Sequence, residues 1–252
     1  MTTPEVGIQQ KHRRYVEQAV WTSASRSRLL ELAGLEPGCY ILEVGSGTGA
    51  ICSSIASSYD YHTFGLDLDP EATRFACSID PITHYLVGDG YHLPFPSCVF
   101  DAVFCHFLLL WLDKPLDMLE EMFRLLRPGG CLIAFAEPDY GGRLDYPPEL
   151  ARLGKMQIDA LAEAGADPLI GRRLRALFIE AGSSEVFSGV LGAEWTASTL
   201  RDTLDSERDT LRQDLSGLRS SKRITDLLNA GLTDSADKQT LFVPTFFALG
   251  FA

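Results

Sequence analysis

The run Ile41-Leu-Glu-Val-Gly-Ser-Gly-Thr-Gly-Ala50 places Glu43 two residues before the first of three glycines, and Asp67 follows Gly45 by 22 residues. Glycines after an apolar strand let the backbone turn sharply and admit a ligand close to the main chain. A helix opening near Thr48 aims unpaired N–H groups and the positive end of its dipole at that ligand. Two ligand classes compete at this point. Gly45, Gly47 and Ala50 satisfy G-x-G-x-x-A, and with Asp67 they match the pattern of a dinucleotide site. Glu43 argues for a different ligand. A pyrophosphate beside it would meet like-charge repulsion, whereas an ammonium or sulfonium would be attracted.

Further polar and aromatic groups recur along the chain. Asp89-Gly90 follows a short apolar run, and His106-Phe107 follows another. Glu137-Pro-Asp-Tyr-Gly-Gly-Arg143 gathers acidic, phenolic and cationic groups after a third. Tyr15 and Trp21 lie in the N-terminal helical stretch, where ring faces can meet a cation. His92 reads as structural, and His12, His62 and His84 are given no role.

These residues need a scaffold that brings them to one edge. Residues 9–33 read as one helix stopped by Gly34, and Pro37-Gly38 as a turn. Strands are expected at 39–44, 63–67, 83–88, 99–104 and 131–136. Helices are expected at about 48–57, after Asp69-Pro70, and at 114–126 before the Arg127-Pro-Gly-Gly130 turn. Such alternation predicts an α/β fold with a mostly parallel sheet and helices on both faces. Ligands in such sheets sit at the carboxyl ends of the strands. Those ends hold residues 45–49, Asp67, Asp89-Gly90, residues 105–108 and residues 137–140. Beyond them, 138–148 reads as a loop, 149–165 and 169–181 as helices, and 185–191 as a strand. Residues 197–229 carry a leucine stripe read as packing, and 241–251 reads as a final strand that completes a seven-stranded sheet.

With the elements in order, Leu42-Glu-Val-Gly-Ser-Gly-Thr-Gly49 resembles the first motif of class I S-adenosylmethionine-dependent methyltransferases. Gly88-Asp-Gly90, Phe95–Phe104 and Leu126-Arg-Pro-Gly-Gly130 resemble later motifs of that family, over residues 40–137. The resemblance implies a three-layer Rossmann-like fold with S-adenosyl-L-methionine as cofactor. It implies cofactor binding by Tyr15, Trp21, Glu43, Gly45, Ser46, Gly47, Gly49, Asp67, Leu68, Asp89, Gly90, His106 and Phe107. In that scheme Asp67 accepts from the ribose hydroxyls and Asp89 from the adenine amino group. His106, Glu137 and Asp139 are the candidate bases if the methyl acceptor must lose a proton. No metal is called for. The expected division is a helical lid at 1–36, a cofactor-binding core at 37–137 and an acceptor-shaping half at 138–252, with helical insertions near the C-terminus. The alternatives are a non-catalytic S-adenosylmethionine-binding module and an NAD(P)-dependent oxidoreductase.

Composition limits the partners. The chain has 252 residues and a formal net charge of −12, which disfavours bulk nucleic-acid or anionic-lipid binding. The expected acceptor is a small molecule or a peptide, and the expected state a monomer or homodimer. Six cysteines show neither C-x-x-C spacing nor zinc-site spacing, which suits a reducing compartment. No apolar run approaches the ~20 residues of a membrane span. The N-terminal residues lack a signal-peptide core, so a cytoplasmic protein is expected.

Overall fold

The computed structural model describes residues 7–192 and 240–252. Its core is a seven-stranded sheet. Strands β1 (Tyr40–Val44), β2 (His62–Asp67), β3 (His84–Val87), β4 (Phe100–Cys105) and β5 (Leu126–Pro138) are parallel. A short strand β6 (Leu144–Tyr146) lies outside the sheet. Strand β7 (Glu185–Leu191) forms one sheet edge, β8 is Thr240–Phe242, and β9 is Thr245–Phe251. The order is β3-β2-β1-β4-β5-β9-β7, with β9 antiparallel to both neighbours.

The central strands are buried on both faces, and successive side chains enter opposite layers. Leu42, Val44, Val103, Cys105, Leu132 and Ala134 enter one core, together with Met118, Leu119 and Met122 of helix α5 (Pro115–Arg124) and Leu177 and Phe178 of helix α7 (Leu174–Glu180). Ile41, Ala102, Phe104, Ile133 and Phe135 enter the other. There they meet Ala19 of helix α1 (Ile8–Trp21), Leu29 and Leu30 of α2 (Ser23–Ala33), and Ile51 and Ile55 of α3 (Ala50–Ala56). Helix α4 (Pro70–Ile79) opens at Asp69, whose side chain accepts from the N–H groups of Glu71 and Ala72, with Pro70 in the first turn. Helix α6 (Pro148–Glu163) packs against β6.

Four local expectations are corrected. The N-terminal helix is two helices that meet at Thr22, whose hydroxyl bonds back to the Gln18 carbonyl at 2.9 Å. The segment 127–130 is not a free turn but the start of β5, with a register shift opposite Phe100–Ala102. The last strand is two, because Val243-Pro244 separates β8 from β9. The loop at 138–148 contains β6, which pairs with β8 in a second, two-stranded sheet. The leucine stripe at 197–229 lies outside the described residues. Among the described residues no helix is long and apolar enough to cross a membrane.

Candidate functional site

The glycine loop joins β1 to α3 at the carboxyl edge of the sheet. The amides of Gly45 and Ser46 both donate to the Leu66 carbonyl, at 2.8 and 3.0 Å, which ties the loop to the adjacent strand. Gly45, Gly47 and Gly49 adopt φ of 76°, 52° and 80°, a region that L residues rarely enter. A Cβ on Gly45 would lie 2.7 Å from Cδ1 of Leu108, and one on Gly47 would lie 2.9 Å from Cε2 of Tyr15. The loop is therefore flanked by one side chain following β4 and one from α1. The hydroxyl of Ser46 is buried and has no hydrogen-bond partner among the described residues.

Two carboxylates bracket this loop. Glu43 is 2% exposed, and its Oε2 accepts from the Cys52 N–H at 3.1 Å, inside the first turn of α3. Burial pushes its pKa up to about 8, against the opposing pull of the Cys52 hydrogen bond and of the Arg26 cation. Asp67 closes the loop from the other side. Its Oδ2 accepts from Gly47 N–H at 2.6 Å and its Oδ1 from Asp69 N–H at 2.9 Å. A carboxylate has about four lone-pair positions, so each oxygen of Asp67 retains acceptor capacity.

Helix α1 lies across the loop. Lys11 Nζ is 3.2 Å from Asp69 Oδ2, and His12 Nδ1 is 2.9 Å from Thr48 Oγ1. The His12 ring also packs on Phe75 at 5.0 Å, and Tyr15 sits over Gly47. Lys11, His12 and Tyr15 share one face of the helix by their spacing. Sequence reasoning singled out Tyr15 but gave His12 no role and passed over Lys11. Their partners lie 36 and 58 residues away, and no local pattern announces such contacts.

Beyond β4 the chain turns through Phe107, a bulky residue at φ 52°. Its amide donates to the Ala136 carbonyl at 2.9 Å, and its ring stacks on Trp21 with centroids 6.3 Å apart. His106 Nε2 lies 3.0 Å from Thr22 Oγ1. Burial, reinforced by Arg26, lowers the His106 pKa to about 3.

Two expected bases prove to be engaged elsewhere. Glu137 is fully buried. Its Oε1 accepts from the Leu108 and Leu109 amides at 2.9 Å each, and its Oε2 from Leu110 at 3.3 Å. Burial nevertheless raises its pKa to about 7. Asp139 is 2% exposed and is gripped by Arg172 through two nitrogens, one at 2.7 Å, while also accepting from Gly142 N–H. Both carboxylates, expected as candidate bases, thus bond to the amides that follow β4 and to Arg172 and the Gly142 amide.

The remaining expected residues divide. Asp89 is exposed and accepts from Tyr91 N–H and the His92 ring, in the manner of a turn-forming Asp. The missing side chain of Gly90 is explained by packing, since a Cβ would lie 2.7 Å from Met118 Sδ. Leu68 is 72% exposed, so it offers an open apolar surface beside Asp67. Among the described residues, no group of three or more His, Cys, Asp or Glu could hold a metal ion.

Comparison with known proteins converges on the same region. Residues 42–134 match a family model described as a methyltransferase domain. The chain is 31% identical over 106 residues to malonyl-[acyl-carrier protein] O-methyltransferase of Serratia marcescens, covering 42% of this chain and 41% of that protein. It is 33% identical over 125 residues to demethylmenaquinone methyltransferase of Renibacterium salmoninarum, covering 46% and 49%. The matched stretch thus spans less than half the length of these relatives. A structure of Haemonchus contortus phosphoethanolamine N-methyltransferase 2 in complex with S-adenosyl-L-methionine superposes with a TM-score of 0.59 at 19% identity, covering 89% of this chain and 51% of that one.

Proposed function

We propose that this chain, which belongs to the class I S-adenosylmethionine-dependent methyltransferases through its 42–134 domain, transfers a methyl group to a small molecule or to a peptide-borne group. The observation that carries the reading is the pair of carboxylates around the glycine loop. Glu43 lies beneath the loop and Asp67 is hydrogen-bonded to it, so the loop suits a cation better than a pyrophosphate.

The residues present fit such a cofactor. Among the described residues the buried Ser46 hydroxyl has no hydrogen-bond partner and Glu43 no direct ion-pair partner, and Asp67 retains acceptor capacity for two ribose hydroxyls. In this reading Gly45, Ser46, Gly47 and Gly49 cradle the cofactor, and Asp67 holds its ribose. Asp89 accepts from its adenine, with Leu68 and Gly90 beside it. Tyr15, Trp21, His106 and Phe107 close over its methyl end. When bound, S-adenosyl-L-methionine supplies a methyl group carried on a sulfonium sulfur. The chain's own part is alignment and exclusion of water, which can account for roughly 7–11 kcal/mol of barrier lowering. Glu137 shapes the acceptor side by fixing three consecutive amides, and Asp139 does so through Arg172.

Among the expected bases, Glu137 and Asp139 already accept from amides and from Arg172, and the His106 pKa is lowered to about 3. That favours acceptors needing little help in losing a proton, such as a carboxylate, a neutral nitrogen or an acidic phenol. The same observation is compatible with a second reading, a non-catalytic module that binds the cofactor. The division into lid (1–36), core (37–137) and acceptor-shaping half (138–252) belongs to the first reading. So does a cytoplasmic location, which the six free cysteines support.

Calorimetry with S-adenosylhomocysteine, followed by transfer of radiolabelled methyl to a cell extract, tests both readings. Binding with labelling supports the transferase, and binding without labelling favours the module. Uptake of NAD(P) in place of the adenosyl ligand would overturn both.

A further inference from the structure

We propose that Thr22, at the break between α1 and α2, is a positioning residue that fixes His106 as the Nε2–H tautomer and leaves Nδ1 as the ring's acceptor. The inference deepens the transferase reading, in which His106 borders the methyl end of the cofactor, and it rests on that reading for its functional meaning.

The argument is a count of protons and lone pairs. Thr22 is fully buried, and its hydroxyl has four polar neighbours within 3.5 Å, the farthest of them the Ala19 carbonyl, which like the Gln18 carbonyl can only accept. The Gln18 carbonyl, 2.9 Å away, can only accept, so it takes the single hydroxyl proton. Arg26 Nη1, 3.1 Å away, can only donate, so it occupies one oxygen lone pair. The remaining lone pair faces His106 Nε2 at 3.0 Å. Two lone pairs cannot bond to each other, so Nε2 must carry a proton. A neutral imidazole protonated at Nε2 is bare at Nδ1. Nδ1 has no hydrogen-bond partner among the described residues.

The surroundings keep the ring neutral. The charged group that acts on it is Arg26 of α2, held in place by the Ala19 carbonyl and by Ser54 Oγ at 3.0 Å each. Its neighbour Phe107 contributes a ring edge at 4.6 Å and no charge. A neutral ring with a bare Nδ1 accepts a hydrogen bond but removes a proton poorly. His106 therefore orients an acceptor that presents an O–H or N–H, and Thr22 sets the atom that does so. Thr22 also sits at the junction of the two helices and bonds back to α1, so the ring of His106 is held at the point where α1 meets α2.

The test is long-range 1H–15N NMR on the full chain, with His106 assigned by its loss in His106→Gln. The expected result is a protonated Nε2 and an unprotonated Nδ1, with no titration between pH 5 and pH 8. In Thr22→Val the Nε2 proton would face a methyl group. The Nε2–H to Nδ1–H ratio should then fall roughly 5- to 150-fold. Thr22→Ser should restore it. Thr22→Ala serves if Thr22→Val does not fold, and the wild-type spectrum decides in any case. A wild-type ring protonated at Nδ1, or a ratio unmoved by loss of the hydroxyl, would overturn the proposal. S-adenosylhomocysteine calorimetry on the same samples keeps the two ideas apart. A chain that ignores the ligand while keeping Nε2 protonated loses the transferase reading, and the tautomer assignment stands.

Discussion

Asp67 Oδ2 accepts a 2.6 Å hydrogen bond from Gly47 N–H, so one carboxylate ties the end of the second strand to the glycine loop. Its two oxygens each hold one backbone amide and each keep room for one more donor. Asp67→Ala should weaken S-adenosylhomocysteine binding roughly 10- to 100-fold, through loss of charged hydrogen bonds to ribose and loss of loop closure. Isothermal calorimetry reads this directly, and an unchanged affinity would remove Asp67 from the site.

Glu43 should register the arrival of a cation. Its pKa of about 8 means that it is largely protonated at neutral pH. A sulfonium or ammonium placed nearby favours the ionised form, so binding of S-adenosyl-L-methionine near pH 7 should release a proton. The enthalpy of binding should then depend on the ionisation enthalpy of the buffer. Glu43→Gln should erase that dependence while keeping an acceptor for Cys52 N–H. Glu43→Lys, which adds a cation, should abolish binding.

Glu43 and Glu137 together shape stability against pH. Both carboxyls have folded pKa values raised above the usual 4.5, to about 8 and about 7. Across that interval the folded state holds more protons than the unfolded one. Their contribution is therefore full below about pH 4.5 and is lost as pH rises through 7 and 8. His106, lowered to about 3, acts oppositely and adds stability as pH rises from 3 to 6.5. The melting temperature should fall between pH 6.5 and pH 8, the range in which these two carboxyls lose their protons. The double variant Glu43→Gln/Glu137→Gln should flatten that fall.

Glu137→Ala should be far more damaging than Glu137→Gln. Removing the side chain leaves the amides of Leu108, Leu109 and Leu110 without their acceptor, at a cost of about 1–3 kcal/mol for each donor left dry. The glutamine variant retains one carbonyl oxygen and should lose less. Urea unfolding of the two variants gives the comparison, and equal stabilities would show that water replaces the carboxylate.

Tyr15→Ala should loosen the lid. The ring rests on Gly47, whereas the Lys11–Asp69 pair is partly exposed and contributes little. Cofactor release should accelerate several-fold in Tyr15→Ala and barely change in Lys11→Ala. Stopped-flow displacement of a bound adenosyl ligand separates the two.

Much of the fold was legible in the sequence. Alternating apolar strands and helices with glycine punctuation over residues 40–137 announced the parallel sheet, and Asp69-Pro70 marked the start of α4 almost to the residue. The break at Thr22 was not legible, because residues 9–33 keep a helical period and the contact that Thr22 makes there is with a histidine 84 positions away. The partners of Glu137 and Asp139 were not legible for a related reason. Residue type marks both as proton acceptors, but their partners are backbone amides and an arginine brought near only by the fold. Lys11 and His12 were missed because charge and aromaticity on an N-terminal helix look the same whether they face solvent or a loop.

Strand β9 lies between β5 and β7, so residues 245–251 occupy an interior row of the sheet although they are synthesised after both of the strands they separate. Until they emerge, β5 has a bare outer edge and β7 has nothing to pair with, and open edges of this kind invite pairing with other chains. Glu137 and Pro138 pair with Phe246 and Thr245, so the end of β5 is tied into the sheet only once β9 has been made. A stop codon at position 245 would leave the glycine loop and Asp67 encoded in full, yet the nascent protein would carry two sticky flanks and an unsupported end of β5.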